Sequence, residues 1–181
     1  MTDEDKKLAS ETVKDDFLPK DYEVPQGPSN YMKFEQGANA FRVLSSAITG
    51  YEYWNKENKP IRQKEMWSEK PADIRTDKDG SYRIDHFWAF LVWNHQTNSV
   101  QCLEIKQKGI MKAITALTQS KGWGSPKLYD ITVTREGEGL DTTYTVMPEP
   151  PSEVKAEILE AYSKVKVDLT RLYSGEDPFK I

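Results

Sequence analysis

The chain has 181 residues, with 25 Lys and Arg against 29 Asp and Glu, for a formal net charge of −4. That length suits one ordinary core with attachments, and the total charge argues against a strongly basic nucleic-acid binder. Hydrophobic residues are 37% of the chain and no run approaches the ~18 consecutive apolar residues of a membrane span, so no membrane contact is expected. The start, Met1-Thr2-Asp3-Glu4-Asp5-Lys6-Lys7, lacks the basic and apolar regions of a secretory signal, and a single cysteine, Cys102, has no internal disulfide partner. A reducing cytoplasm is the expected location.

Residues 1–30 combine charge with Pro19, Pro25, Gly27 and Pro28 and read as a flexible acidic arm. From Asn39 the run Ala40 to Ile48, continued by Tyr51-Glu52-Tyr53-Trp54, predicts one long strand bent near Gly50. Residues 55–83 form a long polar connection that holds Trp67 and the turn signal Asp79-Gly80; a connection of that length inside a compact domain is usually functional or mobile. Ile84 to Trp93 is apolar on both alternating faces and predicts a second strand, turned at Gln96-Thr97-Asn98 into a third, Val100 to Lys106. In that third strand Leu103 and Ile105 point inward, and Cys102, Glu104 and Lys106 point out.

The period then changes. Ile110, Ala113, Ile114 and Leu117 recur at helical spacing, predicting a short amphipathic helix from Lys108 to about Lys121. Tyr129 to Arg135 and Thr142 to Val146 alternate as two strands about a Glu136-Gly137-Glu138-Gly139 turn, and Pro148, Pro150 and Pro151 close the module. Beyond them, Val154, Ile158, Ala161, Tyr162, Val165, Leu169 and Leu172 step by three and four, predicting a long helix from Ser152 to about Tyr173, long enough to clasp the module or to dimerise. The domain reading is therefore an arm over 1–30, a core over 31–148, and a helix with an acidic tip over 149–181.

This partition changes the meaning of the charge. Residues 1–30 carry −4 and residues 149–181 carry −2, which leaves +2 on the core. All five Trp lie in that core, together with most of the Tyr and Phe. Within it, Lys106, Lys108, Lys112, Lys121, Lys127 and Arg135 stand against only Glu104 and Asp130 over residues 101–135. Such a cluster suits a polyanion, and it also suits an ordinary solvated surface.

Five strands with a helix between the third and fourth is the element order of an OB-fold. In that small barrel the face of strands two and three, with the loops joining strands one to two and four to five, binds oligonucleotides or oligosaccharides. The predicted fold is thus mainly β, a five-stranded OB-fold barrel with a long C-terminal helix. The rings fall on that face and those loops: Tyr51, Tyr53 and Trp54 end the first strand, Trp67 lies in the first loop, and Trp88, Phe90 and Trp93 lie on the second strand. Bases stack on exposed rings whatever their identity, and Arg42, Lys56, Lys59, Arg62, Lys106, Lys108 and Lys112 are placed to meet phosphates. One of the two ring sets on 84–93, Phe87/Leu91/Trp93 or Trp88/Phe90/Val92, must pack the core. The other must be covered by an arm, a helix or a partner, or contact ligand. For Phe41, Tyr129 and Tyr144, core packing is the expectation.

The chain also resembles a family of small single-stranded DNA-binding proteins encoded by bacteriophages. The most specific match is the stretch Tyr129-Asp130-Ile131-Thr132-Val133-Thr134-Arg135-Glu136-Gly137-Glu138-Gly139-Leu140-Asp141-Thr142-Thr143-Tyr144-Thr145-Val146-Met147-Pro148. Phe41 to Ser45 with Gly50 to Trp54, Phe87 to Asn94, and Leu103 to Lys108 support it, so the resemblance covers residues 34–148. It implies an OB-fold core, sequence-nonspecific binding and protection of single strands in phage replication, recombination or repair, and a place in the infected bacterial cell. The tip Glu176-Asp177-Pro178-Phe179 is similar to the acidic tips by which bacterial single-strand binders recruit replication enzymes, although Lys180 and Ile181 follow it here. Asp177, Pro178 and Phe179 are therefore candidate partner-binding residues.

No enzyme is expected, and no metal or cofactor. His86, His95 and Cys102 match no zinc-finger or knuckle spacing. The chain carries no phosphate-binding glycine loop, dinucleotide fingerprint or nucleophile motif. The reading from a different class is a protein-interaction or dimerisation module whose aromatic face docks a partner.

Overall fold

In the computed structural model, which describes residues 17–24 and 29–181, a short β1 (Tyr31–Met32) leads into β2 (Gly37–Val43) and β3 (Ile48–Trp54). The long connection carries β4 (Pro60–Gln63), and the central hairpin is β5 (Asp85–Asn94) and β6 (Ser99–Ile105). Helix α1 (Lys108–Gln119) separates these from β7 (Asp130–Glu136) and β8 (Thr143–Pro148), and α2 (Ala156–Lys164) precedes a 3-10 turn over Leu169–Ser174. Most of the predicted acidic arm lies outside the described residues.

The helix and the strands on either side of it stand where the period of the sequence put them. The predicted single strand from Ala40 to Trp54 is instead two strands, and the break is at Leu44–Ala47, not at Gly50. There the backbone N–H groups of Leu44 and Ser45 both donate to the Leu91 carbonyl, at 2.9 and 3.4 Å, while the Ser45 hydroxyl accepts from the Leu91 N–H at 2.8 Å. Two residues thus oppose one, as in a bulge, and the strand bends. Gly50 stays in the regular ladder opposite Phe87, at a close approach that leaves no room for a side chain: a Cβ there would sit 2.5 Å from the Gln63 carbonyl oxygen and 3.1 Å from the rings of Phe87 and Tyr173.

The strands form a mixed sheet in the order β1-β6-β5-β2-β7-β8, with β3 on β5 and β4 on β3. The β1–β6 pair is parallel and the others are antiparallel. The sheet does not close: among the described residues β6 pairs with β1 and β5, and β8 with β7. The five-stranded closed barrel expected from the element order is therefore corrected to an open sheet of eight strands among the described residues. At the seam β1 rides on β6, with Tyr31 opposite Cys102. The Arg135 guanidinium then donates to the Phe34 carbonyl at 3.0 Å, and the Gln36 amide to the Gly137 carbonyl at 2.6 Å. Residues 31–36 thereby bridge the gap.

Both faces of β5 are covered, which explains its unbroken apolar character. Phe90 and Val92 join Phe41, Val43, Leu103, Ile105, Tyr129, Ile131 and Val133 in a core capped by Ile110, Met111 and Ile114 of α1. Phe87, Ala89 and Leu91 join Cys102 on the opposite face, under Leu172 with Val167, Leu169, Tyr173 and Phe179. Cys102, expected to point out, does lie on the face opposite Leu103, but it is fully buried there and burial pushes its thiol to about 12.

The cover is not the predicted helix from Ser152 to Tyr173. Helix α2 spans only nine residues, and the chain then runs extended through Val165-Lys166-Val167-Asp168. Alternating β-branched residues disfavour helix continuation, and Asp168 caps the following 3-10 turn by accepting from the Thr170 N–H at 3.1 Å. Ser152, the predicted N-cap, lies before the helix and serves Arg42 instead. The apolar spacing of this segment reflects docking onto the sheet. No helix among the described residues is long and apolar enough to cross a membrane.

Candidate nucleic-acid interface

Of the two faces of β5 that were open to an oligonucleotide, the one carrying Phe87 and Leu91 is occupied by the chain's own C-terminal arm. Leu172 is 4% exposed on it, the Tyr173 hydroxyl donates to the Thr49 carbonyl at 2.6 Å, and Phe179 meets Tyr31 edge-on with ring centroids 6.0 Å apart. The tip residues are part of this cover. The Asp168 N–H donates to the Pro178 carbonyl at 2.9 Å, the Arg171 side chain donates to the Asp177 carbonyl at 3.1 Å, and Pro178 is buried. Asp177, Pro178 and Phe179 therefore fold back on the sheet after the left-handed turn at Gly175, where φ is +70°.

Several candidate rings are also taken up by packing. Phe90 is 4% and Trp93 7% exposed. Tyr53 is buried, its hydroxyl donating to the Asp73 carboxylate at 2.7 Å and its ring edge-on to Trp67 at 4.8 Å. Burial, then that bond, pushes the Tyr53 phenol to about 12. The Tyr51 ring centroid lies 5.0 Å from that of His86. Tyr53 and Trp67 thus tie the long connection onto β3. Trp88 is half-buried and borders a separate groove between α1 and the bend after β2.

Arg42, expected at phosphates, is an internal strut. Its guanidinium donates to the Asp130 carboxylate at 2.6 Å, the Ser152 carbonyl at 3.0 Å and the Ser152 hydroxyl at 2.6 Å, and its side chain is 3% exposed. Substituting it by Ala removes a buried charge from a partner that retains some contact with water. Arg42→Ala is therefore expected to lower stability by about 2–3 kcal/mol, somewhat less than for a fully enclosed pair. Chemical denaturation measures this; an unchanged midpoint with weakened polyanion binding would return Arg42 to the surface role.

At the far end of β3 the arrangement differs. Trp54 is 37% exposed, with the Arg75 guanidinium 5.9 Å and the Lys106 ammonium 6.0 Å from its ring centroid. Trp54, Arg75, Tyr82, Arg83 and Lys106 line one depression of about 380 Å³ together with Asp77 and Asp85. Tyr82 is 47% exposed, and the Lys70 ammonium lies 5.0 Å from its ring centroid. Two ordinary local structures build the depression. The Arg75 N–H donates to the Trp54 carbonyl at 2.8 Å, and Thr76 bridges Tyr82 across the Asp77–Gly80 turn, in which Gly80 takes φ +82°.

Beneath it lies a fully buried carboxylate. Glu52 accepts from the Arg62 guanidinium at 2.7 Å and is ion-paired with Lys106. Arg62 also reaches Glu104 at 3.2 Å. Burial raises the Glu104 pKa, with the Arg62 charge opposing the rise. A buried carboxylate needs such partners, and this one holds Lys106 beside Trp54.

Of the residues expected at a nucleic acid, the structure gathers Trp54 and Lys106 here, with Arg62 behind them. Lys56 and Lys59 stand exposed on the turn after β3, and Lys108 and Lys112 on the outer side of α1; none of the four lines the depression. Sequence reasoning missed Lys70, Arg75, Tyr82 and Arg83. The Asp79-Gly80 turn signal was legible, and pairing its flanks would have brought Arg75 and Tyr82 together.

One curated relative is informative at this point. An alignment of 140 residues is 27% identical to a protein of Escherichia phage T5 named "Probable ssDNA-binding protein", covering 64% of this chain and 53% of the relative. The chain resembles a phage single-stranded DNA-binding protein. It spans about half the length of that relative. No protein-family model matches the chain, and no solved structure matches it.

Proposed function

We propose that the chain binds single-stranded DNA without sequence preference, through base stacking on Trp54 and Tyr82 and phosphate contacts to Arg75, Arg83, Lys106 and Lys70. The observation that carries this reading is the exposed Trp54 ring, with two cations 5.9 and 6.0 Å from its centroid and a second exposed ring in the same depression. An exposed ring accepts any base, and nearby cations neutralise the flanking phosphates. The name of the phage T5 relative supports the same ligand.

In this reading the fold is an opened OB-type barrel, and its usual face is given up to the C-terminal arm. Ligand moves to the rim made by the end of β3 and the loop that follows it. The biological role is to coat and protect single strands during phage DNA replication, recombination or repair in the infected cell. We favour this reading over an interaction module because the C-terminal arm lies on Phe87, Ala89 and Leu91, a face that such a module would offer to a partner.

Titration with oligo-dT, followed by tryptophan fluorescence at several salt concentrations, tests the proposal. Quenching with an affinity that falls as salt rises is expected, with a slope of ~0.7 per phosphate contacted. Absence of both quenching and salt dependence would overturn it.

A further inference from the structure

At the unclosed seam between β1 and β8 lies a groove of about 520 Å³. Its walls carry Tyr31, Phe34 and Tyr144, with Lys33, Arg62 and Lys106 among them. Phe34 and Tyr144 are half-buried, with ring centroids 6.0 Å apart and planes inclined by 57°. Tyr144 packs against the core as expected and, being only half-buried, also lines the groove. The bridging segment that contributes residues 31–34 to the lining is held by the Arg135 bond to Phe34 and the Gln36 bond to Gly137. Lys33 is exposed at the mouth. The acid that joins these cations in the lining is Glu104, and Glu52 lies buried behind it.

Lys106 lines both this groove and the depression at Trp54. It is held there by Glu52, so the two sites share one fixed cation. A ligand that stacks on Trp54 and carries a charge at each repeat passes Lys106 on its way into the seam.

We infer that the seam is a second nucleobase subsite for the same single strand, continuous with the Trp54 depression through Lys106. A base enters beside Tyr144 and Phe34, and its flanking phosphate meets Lys33. Closing the barrel would have removed this space, so the opening of the sheet creates the subsite. The inference rests on the single-strand reading above and extends it from one stacking position to a path.

Two variants test it: Lys33→Glu, at an exposed position that does not threaten the fold, and Tyr144→Ala, checked for an unchanged circular dichroism spectrum. With oligo-dT of graded length, Tyr144→Ala is expected to weaken binding of long strands about five- to tenfold, the lower end of stacking losses for a partly buried ring. It should also shorten the footprint, because strands long enough to reach the seam no longer gain over shorter ones. Lys33→Glu is expected to reduce the salt slope by about one contact. Photocrosslinking of bromodeoxyuridine strands to the wild-type chain should yield adducts on Tyr144 or Phe34 as well as on Trp54. If both variants keep wild-type affinity, footprint and salt slope, the path does not include the seam, even where Trp54→Ala still weakens binding. Failure of the wild-type chain to bind any strand overturns this inference together with the single-strand reading.

Discussion

Replacing Trp54 by Ala is expected to weaken binding to oligo-dT by about 5- to 150-fold, the range set by ~1–3 kcal/mol for one stacked base. The chain should remain folded. Trp54 is more than one-third exposed at the end of β3, outside both apolar clusters, so its loss leaves no cavity in the core. Its contribution is distinguished from that of charge by salt. The slope of affinity against salt should stay nearly as in the wild type, because Arg75 and Lys106 remain, whereas Arg75→Ala should lower the slope with less loss at low salt. Trp54→Phe should recover much of the affinity by restoring a ring. A variant that binds as well as wild type would remove this depression from the contact surface.

The second large effect lies in the C-terminal arm. Deleting residues 165–181 strips Leu172, Tyr173 and Phe179 from Phe87, Ala89 and Leu91 and leaves an apolar sheet face in water. Leu172→Ala alone is expected to cost about 2–4 kcal/mol, within the range for a buried leucine. The deletion should consume most of the ~5–15 kcal/mol that holds an ordinary domain together. Cys102 gives a direct readout. Under the arm it is fully buried with its thiol raised to about 12, so a disulfide reagent should not react with the native chain. The deletion variant should react rapidly, lose its cooperative melt and bind a hydrophobic dye. A detachable acidic tail would behave differently: its removal would leave the melt and the thiol unchanged.

The charges of this arm do not make it a loose tail. Its acids Glu176 and Asp177 sit beside buried Leu172 and Pro178, and Arg171 is 2.9 Å from Glu176. The acidic total of residues 149–181 therefore belongs to a segment bound by apolar contact. This is also why the sequence pattern misled. Residues at steps of three and four along 154–172 suggested a helix, but the spacing that serves a helix also serves a strap of short turns laid on a flat sheet. The choice between them rests on the β-branched alternation at 165–168 and on the surface waiting underneath.

Local pattern by itself determined the hairpin of β5 and β6, helix α1, and the β7–β8 pair. In β6, β7, β8 and α1, alternating or helical spacing favours one backbone, whereas β5, apolar on both faces, is marked as a strand by its β-prone residues. The order of these elements and the concentration of rings in the middle of the chain were legible too, and Trp54 and Lys106 stood among the candidate residues. What covers each apolar face was not. Period two puts Phe87 and Leu91 opposite Trp88 and Phe90, but it does not say which residues, distant in the chain, lie against either set. Only the tertiary structure decided that the C-terminal arm takes one face, that Arg42 turns inward to Asp130 and Ser152, and that the sheet stays open between β1 and β8. It alone also brought Arg75 and Tyr82 from the long polar loop to Trp54. These contacts join residues far apart in the sequence. Their free energy depends on the shape and burial of surfaces that exist only once the chain has folded.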